Sequence, residues 1–123
     1  MKYTFCFLLL SAFWANAQTD NVTVSSPDGK LAVNVSLENG KPSYNISLNG
    51  KTFLNKSPLG LKTNVGDFTE GLVLKQNTSL RKIENTYELP NIKQSKVNYA
   101  ANEGVISFSK SNADAIDVIF RVS

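Results

Sequence analysis

The chain has 123 residues, room for one domain or less, and 13 Lys+Arg against 10 Asp+Glu give a formal net charge of +3. Lysines and acids are interspersed, and no basic run or stripe points to nucleic acid or to an anionic membrane surface. There is no His, and Cys6 and Trp14 are the only Cys and Trp, so the chain has no pair for a disulfide and no nucleophile–His triad or His-based metal site.

Met1-Lys2, the apolar run YTFCFLLLSAFW and the small residues Ala15-Asn16-Ala17 read as a secretory signal peptide over residues 1–17, cut between Ala17 and Gln18. The apolar run is too short to cross a bilayer as a helix, and no other segment is apolar enough. A buried first helix or strand is the alternative reading. The mature chain, 18–123, carries a net charge of +2 once Lys2 is subtracted from +3, and it contains no Cys, His, Trp or Met.

QTDNVTVS (18–25) reads as an opening segment or first edge strand, and SPDGK as a turn. Leu31, Val33, Val35 and Leu37 then alternate with polar or small residues, the period of a half-buried strand. Asn39-Gly40 and Asn49-Gly50 are hairpin signals on either side of a strand with Tyr44, Ile46 and Leu48 on one face. Residues 30–54 are therefore expected to form a three-stranded antiparallel meander.

Pro58 and Gly60 break the pattern, Leu59 and Leu61 suggest a brief edge pairing, and GLVLK (71–75) is a short strand. Residues 76–96 are polar and contain Pro90; irregular strands and a long loop are expected rather than a helix. KVNYAA (96–101) and VISFSK (105–110) are expected to pair as a hairpin about a turn at Asn102-Glu103-Gly104. The last strand sets Ile116, Val118, Phe120 and Val122 against Asp117, Ile119 and Arg121. It is still running at Ser123, which suggests a piece of a larger sheet, since a long apolar edge invites aggregation.

Chemistry is sparse. No carboxylate pair is fixed across a gap by spacing: Asp67 with Glu70, Glu84 with Glu88, and Asp114 with Asp117 read as solvated surface acids. Asp28-Gly29 and NVGDF lack the dense run of oxygen ligands that a calcium loop needs. Sequons begin at Asn21, Asn34, Asn45, Asn55 and Asn77, and strand alternation of Asn with Ser or Thr accounts for the central ones without glycosylation. Tyr44, Phe108 and Phe120 fall on core-facing positions, leaving Tyr87 and Tyr99 as candidate sugar-stacking platforms.

Ser26–Lys30, Tyr44–Lys51, Pro58–Leu61 and Gly66–Phe68 occur in an order that resembles the start of the N-terminal domain of family-97 glycoside hydrolases. Tyr87–Pro90, Asn98–Glu103 and Ile116–Ser123 continue that order, so the resemblance covers nearly all of 18–123. It implies an all-β fold, the first half of an antiparallel β-sandwich of the galactose-mutarotase type, followed in the parent chain by a (β/α)8 barrel. The barrel would carry the catalytic carboxylates and most calcium ligands, and no family catalytic residue maps onto residues 1–123. The resemblance further implies an exported, periplasmic or extracellular enzyme that cleaves α-glucosides or α-galactosides in oligosaccharides. In that reading the chain supports the barrel, frames the substrate site and is inactive alone, calcium belonging to the full-length enzyme. A stand-alone secreted carbohydrate-binding or adhesion module is the alternative.

Overall fold

The computed structural model describes residues 20–75, 79–90, 93, 96–111 and 114–123. The leader and its cleavage site at Ala17-Gln18 lie outside them, as does Asn77. The described residues form eight strands and no helix: β1 (Asp20–Ser25), β2 (Leu31–Glu38), β3 (Lys41–Leu48), β4 (Lys51–Pro58), β5 (Val73–Leu74), β6 (Ser79–Glu88), β7 (Lys96–Ser109) and β8 (Ala115–Val122).

The first sheet is the expected meander with β1 added at its edge, in the order β1-β2-β3-β4, every pair antiparallel. Its two tight hairpins form where the Asn-Gly pairs stand. Asn39 and Gly40 take φ of 50° and 75°, and Asn49 and Gly50 take 49° and 77°. Positive φ at both central residues gives the turn whose twist matches the flanking strands. Gly40 is needed twice over, because a Cβ there would lie 3.0 Å from the backbone nitrogen of Gly71. The earlier turn is tied by side chains: Ser26 Oγ donates to Asp28 Oδ1 (2.6 Å), and the Leu31 amide donates to Ser26 Oγ (3.0 Å).

Register places Val22, Val24, Leu31, Val33, Val35, Leu37, Tyr44 and Ile46 on one face. That face packs on the second sheet, where Ile106 and Phe108 of β7 and Val122 of β8 are buried, and where the Phe120 ring meets Tyr44 at 5.9 Å. The chain from 59 to 72 turns back through the expected edge contacts. The Leu59 amide donates to Pro42 O (2.9 Å), the Phe68 amide to Leu61 O (2.8 Å) and the Leu72 amide to Gly40 O (3.0 Å). It delivers Phe68 and Leu72 to the core.

Two expectations are corrected. Asn102-Glu103-Gly104 is not a turn: β7 runs unbroken through it for 14 residues, and the φ of Gly104 is not positive. This glycine serves close approach between the sheets, since a Cβ there would meet Val24 Cγ2 at 2.4 Å and Leu80 Cδ2 at 3.1 Å. Residues 79–88 are likewise not irregular. They form a ten-residue strand paired along its whole length with β7, from Ser79↔Val105 to Glu88↔Lys96. Its polar composition marks a strand with one face fully open, not a loop. β8 pairs with the other edge of β7, because Val105 faces both Ser79 and Ile119.

Candidate interaction face of the second sheet

Side chains alternate along a strand, so each strand has one polarity per face unless its surroundings change. β7 changes. In its C-terminal half Gly104, Ile106 and Phe108 point at the first sheet. In its N-terminal half the apolar residues, Val97, Tyr99 and Ala101, have the opposite parity. They share the outer face with Ile83 and Tyr87 of β6 and Ile119 of β8. The inner positions of this arm, Lys82, Glu84, Thr86 and Glu88 opposite Lys96, Asn98 and Ala100, are all solvent-exposed except Asn102 at its base. The first sheet reaches only that far: Asn102 Nδ2 donates to Ser25 O at 2.7 Å.

At the centre of the outer face sits Glu103, 2% exposed. Register sets it between Arg81 of β6 and Arg121 of β8. Arg81 Nε and Nη2 both donate to Oε1 at 2.6 Å. Arg121 donates to Oε2 from Nε at 3.0 Å and from Nη2 at 2.6 Å. A buried carboxylate is tolerable only when paired and hydrogen-bonded, and two guanidiniums, each setting two nitrogens on one carboxylate oxygen, meet that need. The hydrogen bonds from Arg121, then those from Arg81, hold the Glu103 carboxyl below its ordinary value against the opposing effect of burial. A carboxyl depressed by folding stabilises the fold above its unfolded pKa, and that stabilisation fades as pH falls through the folded value. Glu103→Gln is therefore expected to lower the thermal midpoint near pH 7, with the gap to wild type narrowing as pH falls below the ordinary carboxylate range. Paired melts on the two sides of that range check this; a gap independent of pH would mean that the charge of Glu103 contributes nothing.

The two tyrosines singled out from sequence lie on this same face. Tyr87 is opposite Val97 and Asn85 opposite Tyr99, so the tyrosines are diagonal neighbours, with Tyr87 48% exposed and Tyr99 half-buried. Sequence reasoning missed Glu103 and both its arginines, which lie 22 and 18 residues away along the chain.

The outer face of the first sheet is different in kind. Asn21, Thr23, Asn34, Ser36 and Asn45 line a shallow polar groove of about 440 Å³, with Asn21 opposite Ser36 and Asn34 opposite both Thr23 and Asn45. Thr23 Oγ1 donates to Asn34 Oδ1 (2.9 Å), and Lys56 pairs with Glu38 (2.6 Å). Residues i and i+2 of a strand share a face, so three of the sequons are one polar face written twice or more into the sequence. The acids weighed earlier stay apart: Glu70 faces Lys41 (3.9 Å), Glu84 faces Lys82 (3.3 Å), and Asp67 faces Lys62 (3.6 Å). Among the described residues no three Asp, Glu, His or Cys side chains gather as a metal site, and no helix is long and apolar enough to cross a membrane.

With this geometry in hand, comparison with known proteins gives a consistent result. The family model described as "Glycosyl-hydrolase 97 N-terminal" matches residues 24–123. The chain superposes on a crystal structure of a beta-arabinopyranosidase with a TM-score of 0.75 and 46% identity, covering 85% of this chain and 17% of that one. It superposes on Glycoside Hydrolase Family 97 enzymes from Pseudoalteromonas sp. strain K8, in complex with panose or with acarbose, with a TM-score of 0.72 and 27% identity. Those matches cover 82% of this chain and 16% of theirs. No curated protein sequence matches. The chain thus spans about one sixth of the solved structures it resembles, and it belongs to the glycosyl-hydrolase 97 N-terminal family.

Proposed function

We propose that this chain is a non-catalytic portion of an exported glycoside hydrolase, serving to support the catalytic domain and frame its substrate site. The observation that carries the reading is the family match over residues 24–123 combined with coverage of about one sixth of the related enzymes. The local chemistry agrees with it. Glycoside hydrolysis needs two carboxyl groups facing one another across the scissile bond. Here Glu103 is tied up by two arginines, and Asp67, Glu70 and Glu84 each face a lysine. In this reading catalysis belongs to residues outside 1–123, and calcium, implied by the family resemblance, serves the full-length enzyme.

The substrate class in this reading is a glycoside of a pyranose. Two structures of a Family 97 enzyme from Pseudoalteromonas sp. strain K8 were solved with panose and acarbose, and another related structure is named a beta-arabinopyranosidase. A β-L-arabinopyranoside has the ring configuration of an α-D-galactopyranoside without its hydroxymethyl group. The test panel is accordingly the p-nitrophenyl α-D-glucoside, α-D-galactoside and β-L-arabinopyranoside. The expected result is hydrolysis of at least one by the polypeptide encoded beyond Ser123, and none by residues 18–123 alone. Hydrolysis that tracks the concentration of the 123-residue chain would overturn the assignment. So would a stop codon directly after Ser123.

The pairing of Tyr87 with Tyr99 on one face favours one second reading, a stand-alone sugar-binding module. Saturable glycan binding by the chain alone, lost in Tyr87→Ala, would support it.

A further inference from the structure

We infer that the polar groove on the outer face of the first sheet is a binding site for a neutral oligosaccharide chain. The choice of a sugar as ligand rests on the function proposed above; the groove and its chemistry do not.

The first argument is a repeated triplet. Asn21-Val22-Thr23, Asn34-Val35-Ser36 and Asn45-Ile46-Ser47 stand on three neighbouring strands, β1, β2 and β3. In each, the β-branched middle residue packs inward against the core, so the Asn and the hydroxyl on either side of it share the outer face. Register then sets two rows across the sheet, Thr23–Asn34–Asn45 and Asn21–Ser36–Ser43. Short side chains at these positions leave a groove open, where long charged stems would cover it. Past Glu38 and Lys56 the groove continues into a second hollow of about 410 Å³, lined in part by Asn39, Lys41, Ser43 and Ser57. Together the two cross four strands, about 14 Å at the spacing of paired strands, the length of a short oligosaccharide.

The second argument is the chemistry of the lining, which selects the ligand. Each carboxamide offers donors and an acceptor from one side chain, and each hydroxyl can do both. Adjacent hydroxyls on a sugar ring ask for that mixture. The charged side chains of the first hollow, Glu38 and Lys56, are paired at 2.6 Å and leave no net charge to hold a phosphate or a polyanion. One group is also left over. The ladder from β3 to β4 steps from Tyr44↔Ser57 to Ile46↔Leu54 and passes over Asn45. Asn45 Oδ1 is buried there with no hydrogen-bond partner among the described residues. A buried polar atom without a partner carries a free-energy cost. The last torsion of an Asn side chain is broad, and turning it presents this oxygen to a ligand hydroxyl in the groove.

The test is affinity electrophoresis of the full-length parent through native gels containing soluble starch, galactomannan or arabinogalactan. Binding through hydroxyls alone is weak, and a polymer raises it by offering many sugars at once. Thr23→Val and Asn34→Ala remove lining groups from two different strands. Thr86→Val is the matched control: Thr86 Oγ1 donates to Asn98 Oδ1 on the second sheet (3.1 Å), as Thr23 Oγ1 does to Asn34 Oδ1 on the first. Thermal melts check that each variant is folded, and any sugar binding by the catalytic domain is common to all four proteins. The parent is expected to be retarded by at least one polymer. Thr23→Val and Asn34→Ala should each bind it about three-fold or more weakly, the loss expected for a neutral hydrogen bond, with Thr86→Val unchanged. Equal retardation of all four proteins, or none of the parent, overturns the inference. So does an equal loss in Thr86→Val. Hydrolysis of the p-nitrophenyl glycosides by a parent that shows any of these results leaves the proposed function standing. Groove-dependent retardation of a parent that hydrolyses none of them keeps the groove and removes that function.

Discussion

Phe108→Ala is expected to cost about 3–5 kcal/mol of folding free energy, the range for truncating a large buried aromatic. Phe108 is 1% exposed and belongs to the cluster that joins the two sheets. It lies on β7 opposite Leu74 of β5 and Ile116 of β8, so both neighbours in its own sheet are fixed by backbone pairing. Neither can slide in to fill the space a ring leaves. The cost is the lost transfer free energy plus an unfilled cavity, and a fold stabilised by about 5–15 kcal/mol has little margin for it. Phe53→Ala is the matched control. Phe53 is 76% exposed on β4, and its loss should change stability by no more than about 0.5 kcal/mol. Urea unfolding followed by tyrosine fluorescence measures both. A loss below about 1 kcal/mol at Phe108 would mean that the sheets are not held together where the structure places their contact.

The contrast between the two sheets shows what could be read in advance. The first sheet was legible because its information is local. Asn39-Gly40 and Asn49-Gly50 demand positive φ, and the apolar residues between them keep strict alternation, so turn chemistry and periodicity agree. The second sheet depends on what lies far away in sequence. Apolar residues stand at 97, 99 and 101 and again at 106 and 108, so the parity changes between them. A turn at Asn102-Glu103-Gly104 would explain that change. In the folded chain the strand continues, and the environment on each side of it changes instead.

The same reasoning applies to the candidate face. Tyr87 and Tyr99 could be named from residue type, but their juxtaposition follows from a register fixed only by the β6–β7 ladder. Glu103 looks in sequence like the acid of a turn. Its burial depends on Arg81 and Arg121, brought in from both neighbouring strands. One signal was available: arginine, unlike lysine, can hold a carboxylate bidentately, and Arg81 and Arg121 are the only two arginines in the chain.

Gly104 carries the second prediction, because β7 runs through it as a strand and not as a turn. Glycine is used either for dihedral freedom or for lack of a Cβ, and the two uses predict different double mutants. A methyl group at Gly104 would lie 2.4 Å from Val24 Cγ2, an impossible contact with a branched side chain that is 1% exposed. Gly104→Ala should therefore cost about 1–3 kcal/mol by overpacking. Val24→Ala alone removes two buried methyl groups and should cost about 2 kcal/mol. The double variant removes the clashing atom and places the new methyl in the vacated space. Its cost should fall short of the sum of the single costs by about 1 kcal/mol or more, the coupling expected of residues in contact. Were Gly104 instead required for a turn dihedral, trimming Val24 would relieve nothing, and the costs would add within about 0.5 kcal/mol. The same urea titrations decide between these outcomes, and coupling of the expected sign would identify Gly104 as the point where β1 is allowed to cross close over β7.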